Sequence, residues 1–312
     1  MSETALVAFI RDELNRPVAP AVRAFAAEIA GRAGGGVAAV LFYGSALRTG
    51  ELDGLLDFYV LLDDLATWDW RAPARAGARV LPPNIEYAEH DEGDTKLRAK
   101  IAIMTLAQFR DHARAQSLDT TIWARFAQPV AVVYVRDAVA AEAAIEAVSG
   151  AVRGAAWWAA RLGPEQARGD DFWRELFRRT YASELRVEGT GRAGSIVDSA
   201  PERYAAVLPL AWAADGLAFA QGPDGALAPT LTASERADAE RAWRRRKRIA
   251  KPLNLARLAK AAFTFSGGVD YLAWKIERHS GHRVEVTPFQ RRHPLLAAGP
   301  ALWRLWRKGV LR

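Results

Sequence analysis

The segment LFYGSALRTGELDGLLDFYVLL, residues 41–62, limits the possible folds more than any other part of the chain. An apolar run over 37–43 enters a Gly-Ser turn. A short polar stretch follows, and a second apolar run over 55–62 carries one acid, Asp57, near its start. Apolar runs of this length, bounded by turn residues, predict two buried strands joined by a short helix. Gly44 lets the backbone approach an anion closely, because no side chain intervenes. Ser45 can give its hydroxyl to a phosphate oxygen and cap the helix that starts there. Asp57 projects from a rigid strand, where a carboxylate can hold a divalent cation against a polyphosphate. A lone carboxylate among apolar residues is costly to bury unless it is paired or holds a metal.

Composition narrows the chemistry. With 312 residues the chain has room for two domains or one large one, and half of its residues are apolar. It has no cysteine, which removes disulfides, iron–sulfur clusters, thiolate zinc and a cysteine nucleophile. The first residues lack a basic stretch followed by an apolar one, and no apolar run approaches the roughly 20 residues of a membrane span. The expectation is a cytoplasmic protein, soluble or peripheral. From Arg241 onward there are 13 Arg and 5 Lys against 3 acids, a net of +15. The total is +7, so the first 240 residues carry −8. A basic tail on an acidic body implies a polyanionic partner, either nucleic acid or an anionic membrane.

Along the chain, periodicity predicts helix over 3–32 with a break at 17–20, loop or short helix over 63–78, and a strand over 84–89. A strand over 97–106, a helix over 106–116, a buried strand over 129–135 and an Ala-rich helix over 137–162 follow. The second part reads as helices over 170–187 and 200–216, joined by the loop EGTGRAGS. The polar break QGPDGALAPTLT then leads to a charged helix from about 233 that runs into RRRKR. A further helical region covers 252–280.

Strand, Gly-Ser, short helix and acidic strand, in that order, resemble the nucleotidyltransferase core. Such cores commonly carry two acids one residue apart on the second strand. Here Leu55 stands at that second position. Asp53, four residues before Asp57, either substitutes or is only a turn residue of ELDG. Asp57 is the first candidate metal ligand, with Asp53 or Glu86 as a second; the alternative for both is a solvated surface acid. Lys100 opens an apolar strand, where it could neutralise a phosphate or simply snorkel from a strand end. Arg125, between Trp123 and Phe126, could grip a phosphate bidentately or be an ordinary surface arginine.

Several separate points resemble one family, the peripheral phosphatidate cytidylyltransferases typified by the mitochondrial translocator assembly and maintenance protein. Tyr43-Gly44-Ser45, followed by Leu56-Asp57-Phe58, matches the family's YGS and its single acid in an apolar strand. Lys100 stands where the family has a lysine opening a strand. Arg125 in WARFAQPV sits at the family's glycine-arginine-leucine segment, with Ala124 in place of the glycine and Gln128 in place of a following lysine. Tyr181 to Arg186 resembles a tyrosine-containing segment ending in arginine. Lys260, Phe263-Thr264, Tyr271 and Lys275 resemble the family's C-terminal lysine, phenylalanine-threonine, tyrosine and lysine. The segment 241–251 and the last thirty residues match poorly.

The resemblance implies a Mg²⁺-dependent transfer of CMP from CTP to phosphatidic acid, giving CDP-diacylglycerol and pyrophosphate at the inner face of the cell membrane. It implies Asp57 and Lys100 as catalytic residues. Tyr43, Gly44, Ser45, Arg125, Arg186, Lys260 and Lys275 would bind nucleotide or phosphate. It also implies a winged-helix-like second domain. The expected architecture is α/β: a nucleotidyltransferase domain over 1–137, a mainly helical domain over 138–240, and a basic membrane-associating region over 241–312. In the tail GPALWRLWRKGVLR, a helix would set Trp303 and Trp306 against Arg304, Arg307 and Lys308, as suits an anionic lipid interface. Docking of that helix on the protein's own core is the alternative. RRRKR could bind lipid headgroups or RNA, or be a solvated helix face. The other functional readings are a nucleotidyltransferase acting on RNA or a small molecule, and a non-catalytic binding module that lost a metal ligand.

Overall fold

The two apolar runs form neighbouring antiparallel strands at the centre of a mixed sheet. The computed structural model describes residues 2–93, 95–183, 192–265, 267–280 and 286–289. Helices α1 (Ser2–Leu14) and α2 (Pro20–Gly31) precede β1 (Val37–Tyr43), the short α3 (Ser45–Thr49) and β2 (Leu55–Leu62). Next come α4 (Ala72–Val80), β3 (Asn84–Glu92), β4 (Thr95–Thr105), α5 (Leu106–Ala113), α6 (Thr121–Phe126) and β5 (Val130–Val135). The strand order is β3-β4-β2-β1-β5, with β2 and β4 parallel and the other pairs antiparallel.

Side chains alternate across a strand, so this sheet has two distinct faces. Val40, Phe42, Leu56, Phe58, Val60, Ile101 and Ile103 pack on one face with Phe25 and Ile29 of α2 and with Trp68. Leu41, Tyr43, Tyr59, Leu61, Ala102 and Met104 pack on the other with α1, α5 and α6. The second face continues into α7 (Ala138–Leu162), whose small residues Ala144, Ala151, Ala155 and Ala159 allow close approach. One buried cluster therefore runs from Leu6 to Trp243 across position 137. Each large apolar side chain buried there contributes about 1.5–3 kcal/mol.

Beyond α7 lie β6 (Ala167–Arg168), α8 (Gly169–Ser183), α9 (Arg192–Asp198), α10 (Pro201–Ala214), β7 (Phe219–Gln221) and β8 (Ala226–Pro229). The three short strands form an antiparallel sheet ordered β6-β8-β7. The stretch read as a polar break is thus a hairpin, turned by Gly222-Pro223-Asp224-Gly225, where Gly222 N–H donates to Ala226 O at 2.8 Å. Arg192 to Ser195, expected in a loop, open α9. Residues 121–126, which received no element from the sequence pattern, form α6.

Helix α11 (Ala233–Thr264) is continuous through Pro252 and is followed by α12 (Gly268–Ser280). Thr232 caps α11 in a reciprocal pair with Glu235. Arg246 anchors it: the guanidinium is buried, donates to the carbonyls of Ala115, Gln116 and Ser117, and stacks over Trp158. Burial lowers its pKa to about 10.

A second buried cation joins the N-terminal helix to α10. Arg203 donates to both oxygens of Glu13, at 2.7 and 3.0 Å, and to Ala127 O at 2.5 Å. Removing one partner of a buried pair leaves an uncompensated charge. Glu13→Ala is expected to lower unfolding free energy by about 3–5 kcal/mol in urea titration. Glu13→Leu combined with Arg203→Met should lose markedly less.

Candidate active site

Strand register brings the chemically distinctive residues into one row. Asp57 on β2 is the Cα partner of Tyr43 on β1 and of Lys100 on β4, and Lys100 is the partner of Tyr87 on β3. Register partners share a face, and neighbouring strands lie about 4.8 Å apart. Tyr43, Asp57, Lys100 and Tyr87 therefore form a transverse polar row on the face that also carries Tyr59 and Ala102.

The Gly-Ser turn closes on one end of this row. Gly44 has φ +92°, a conformation that favours glycine, and a Cβ there would meet Asp57 Oδ2 at 2.7 Å. The Asp57 carboxylate thus lies directly against the turn. Ser45 is the first residue inside α3 and Gly44 is the N-cap, so the expected capping by Ser45 does not occur.

A cavity of about 430 Å³ sits over the row. The sheet and α6 supply Tyr43, Tyr59, Lys100 and Arg125; α11 and α12 supply Arg257, Lys260, Thr264 and Tyr271. Among the described lining residues there is no acid, so four cations face a partly aromatic space. Such a space attracts a polyanion with a flat or apolar part. Burial raises the Tyr59 phenol pKa, while Arg125, which hydrogen-bonds it, and Arg257 pull it down.

Arg257 is held rather than free to swing. It makes a fork to Asp119, at 3.2 and 2.5 Å, and donates to Pro82 O at 2.9 Å. Asp119 is held well below the usual carboxylate range: burial pushes it up, but His112, 3.5 Å away, and the Arg257 fork outweigh that. Lys260 Nζ donates to Leu81 O at 2.5 Å and Pro83 O at 2.6 Å. Burial, with Arg257 nearby, lowers its pKa from 10.5 to about 8. Tyr271 packs on Tyr87 with ring centroids 5.7 Å apart, which seats α12 over the row's far end.

Four of the residues anticipated from sequence, Tyr43, Lys100, Arg125 and Lys260, come together around this cavity. Asp57 and Gly44 lie in the same row and turn. Glu86 does not join them. It is 2% exposed on the opposite face, where Oε1 accepts from Trp68 and Trp70 and Oε2 from Arg32. Its oxygens are committed to structure, and its expected role as a metal ligand is replaced by that one. Asp53 is exposed in the loop entering β2, and its carbonyl accepts from Arg278. RRRKR is divided between the two sides of α11: Arg246 is buried, and Arg244, Arg245, Lys247 and Arg248 are exposed. Lys275 lies on α12. Its side chain, Arg186, Trp303, Arg304, Trp306, Arg307 and Lys308 are outside the described residues.

Sequence reasoning missed Arg257. The signal was its phase, since Trp243, Arg246, Leu253, Arg257 and Lys260 recur on one face of a helix. Among the described residues no cluster of three His, Asp or Glu could hold a metal, and no helix is long and apolar enough to cross a membrane. Comparison of the chain with protein-family models and with curated proteins gives no match.

Glu86→Gln is expected to cost about 1–3 kcal/mol of stability by weakening the indole and arginine contacts, and to leave affinity for inorganic triphosphate unchanged in calorimetric titration. Lys260 titrates earlier in the folded state than unfolded, so its attraction for an anion is present below about pH 8 and lost above. The unfolded chain binds the extra proton between about 8 and 10.5, so stability contributed by this group rises across that window. Triphosphate affinity should fall as pH rises through 8. That step should vanish in Lys260→Met.

Proposed function

We propose that this chain is a nucleotidyltransferase that transfers CMP from CTP to phosphatidic acid, releasing pyrophosphate, at the inner face of the cell membrane. One observation carries the reading. Tyr43, Lys100, Arg125, Lys260, Thr264 and Tyr271 were selected by resemblance from separate segments of the chain, and all six line one cavity beside Asp57. The helix and strand order α7-β6-α8-α9-α10-β7-β8, with sheet order β6-β8-β7, supports the winged-helix expectation for the second region.

The donor set fits Mg²⁺. That ion is commonly held by one or two carboxylates with the remaining positions filled by substrate phosphates and water. Asp57 would hold it, with Asp53 the nearest further acid along the chain. The ion would supply neutralisation of the triphosphate and polarisation of the phosphorus under attack.

The remaining work falls to the chain's own residues. The Gly44–Ser45 turn gives backbone and hydroxyl access to a phosphate without a side chain in the way. Lys100, Arg125, Arg257 and Lys260 offset the repulsion between two anionic reactants, one a triphosphate and the other a phosphate monoester. Their positions are fixed before binding, Arg257 by Asp119 and Lys260 by two carbonyls, so little reorganisation is needed. A phosphatidate oxygen then bonds to the α-phosphorus of CTP, and the bond to pyrophosphate breaks.

Radiolabelled CTP, phosphatidic acid vesicles and Mg²⁺ test this directly. Labelled CDP-diacylglycerol is expected with the wild-type chain. Asp57→Asn should lower its rate about a hundredfold or more. Gly44→Ala should act in the same direction, because the new methyl meets the Asp57 carboxylate. No product from the wild-type chain across lipid compositions and salt concentrations would contradict the assignment and direct attention to RNA or small-molecule acceptors.

A further inference from the structure

Helix α11 turns one face to the protein and a different one to solvent. The inward face carries Trp243, Arg246, Arg257 and Lys260. The outward face carries Arg244, Arg248, Lys251, Leu255 and Leu258, spaced by four, three, four and three residues, and all five are exposed. Leu255 is 65% exposed and Leu258 is 63% exposed. Two leucines on one exposed face, continuing a basic stripe, are not what a purely solvated helix presents. Leu258 also lines the cavity, so the apolar end of the stripe reaches its mouth. Helix α4 packs beside this stretch, where Gly77 meets Lys260, and adds exposed Arg79 and Val80.

We propose that this outward stripe is the surface through which the protein seats itself on an anionic lipid bilayer, with the cavity opening toward the lipid. This deepens the reading above and rests on its membrane-borne acceptor. Charge complementarity and exposed apolar area together select the occupant. No acid occurs from Arg241 to Val269, so this stretch of α11 carries no negative charge of its own against an anion, and Glu240, one turn before Arg244, is paired with Arg179. A phosphodiester backbone would use Arg244, Arg248 and Lys251 but leave Leu255 and Leu258 in water. A bilayer uses both, with cations at the headgroups and leucines among the first methylenes. The stripe lies far from the chain's end and is a separate element from the tail around Trp303 and Trp306.

The test is sedimentation of the full chain, without nucleotide, with vesicles of phosphatidylcholine and phosphatidylglycerol or of phosphatidylcholine alone. The wild-type chain should bind the anionic vesicles preferentially, and added salt should weaken that binding. Lys251→Glu with Leu255→Asp should lower affinity about tenfold or more, with an unchanged thermal melt since both side chains are exposed. Val139→Asp, at an exposed apolar site on α7, should leave vesicle binding unchanged. Equal vesicle binding by the double variant and the wild-type chain would overturn the proposal. So would a double variant that loses binding to a single-stranded RNA oligomer but not to vesicles. The reading of the reaction is judged separately: product from CTP with stripe-independent binding overturns only the surface. Stripe-dependent binding without product overturns only the reaction.

Discussion

A carboxylate placed inside an apolar strand sets the terms for everything around it. Asp57 is only partly exposed, on the sheet face that also carries Tyr59 and Leu61, and a charge beside such apolar neighbours is costly unless it is compensated. The fold answers with position. The strand register puts Lys100 beside it on β4, and the turn at Gly44 brings backbone within reach of its oxygens. That turn is available only to glycine, by its φ and by the distance of a would-be Cβ from Asp57. Sheet face, turn and neighbouring lysine thus form a single arrangement in which changing one member disturbs the others.

The basic C-terminal part divides by helical phase into structural and outward-facing residues. Arg246, Arg257 and Lys260 give up water for backbone carbonyls and, in the case of Arg257, for Asp119. Anchors at the middle and in the C-terminal part of this long helix hold it against the rest of the protein, and two of them, Arg257 and Lys260, stand in the cavity wall. Arg244, Arg248 and Lys251 stay in solvent. Net charge alone could not have separated these groups. Their partners lie about 130 or more residues away in sequence for Arg246 and Arg257, on the loops around Ala115 and Asp119.

The central strands were legible because runs such as VAAVLFY and LLDFYVLL are apolar on both faces, which only a buried strand accommodates. Breakers marked some helix bounds, among them the Pro17–Pro20 break before α2 and the polar stretch before α11. Glu86 was harder to read. In NIEYAE its acids look like a solvated edge, and the face it takes depends on pairing with β4 and on Trp68 and Trp70, which lie outside that strand. The small β6-β8-β7 sheet was missed because its strands are two to four residues long, too short for any periodicity to show. Its Pro-Asp-Gly turn was the available sign. Pro209 and Pro252 both sit inside helices, so proline alone did not mark their ends.

The cavity account stands or falls on where the triphosphate binds. A crystal structure of the chain with Mg²⁺ and a non-hydrolysable CTP analogue measures this most directly. The account predicts the triphosphate between the Gly44–Ser45 turn and Lys260, the metal on Asp57, and the base toward the tyrosines of the cavity. Nucleotide bound on the Glu86 face of the sheet, or a metal held without Asp57, would contradict it.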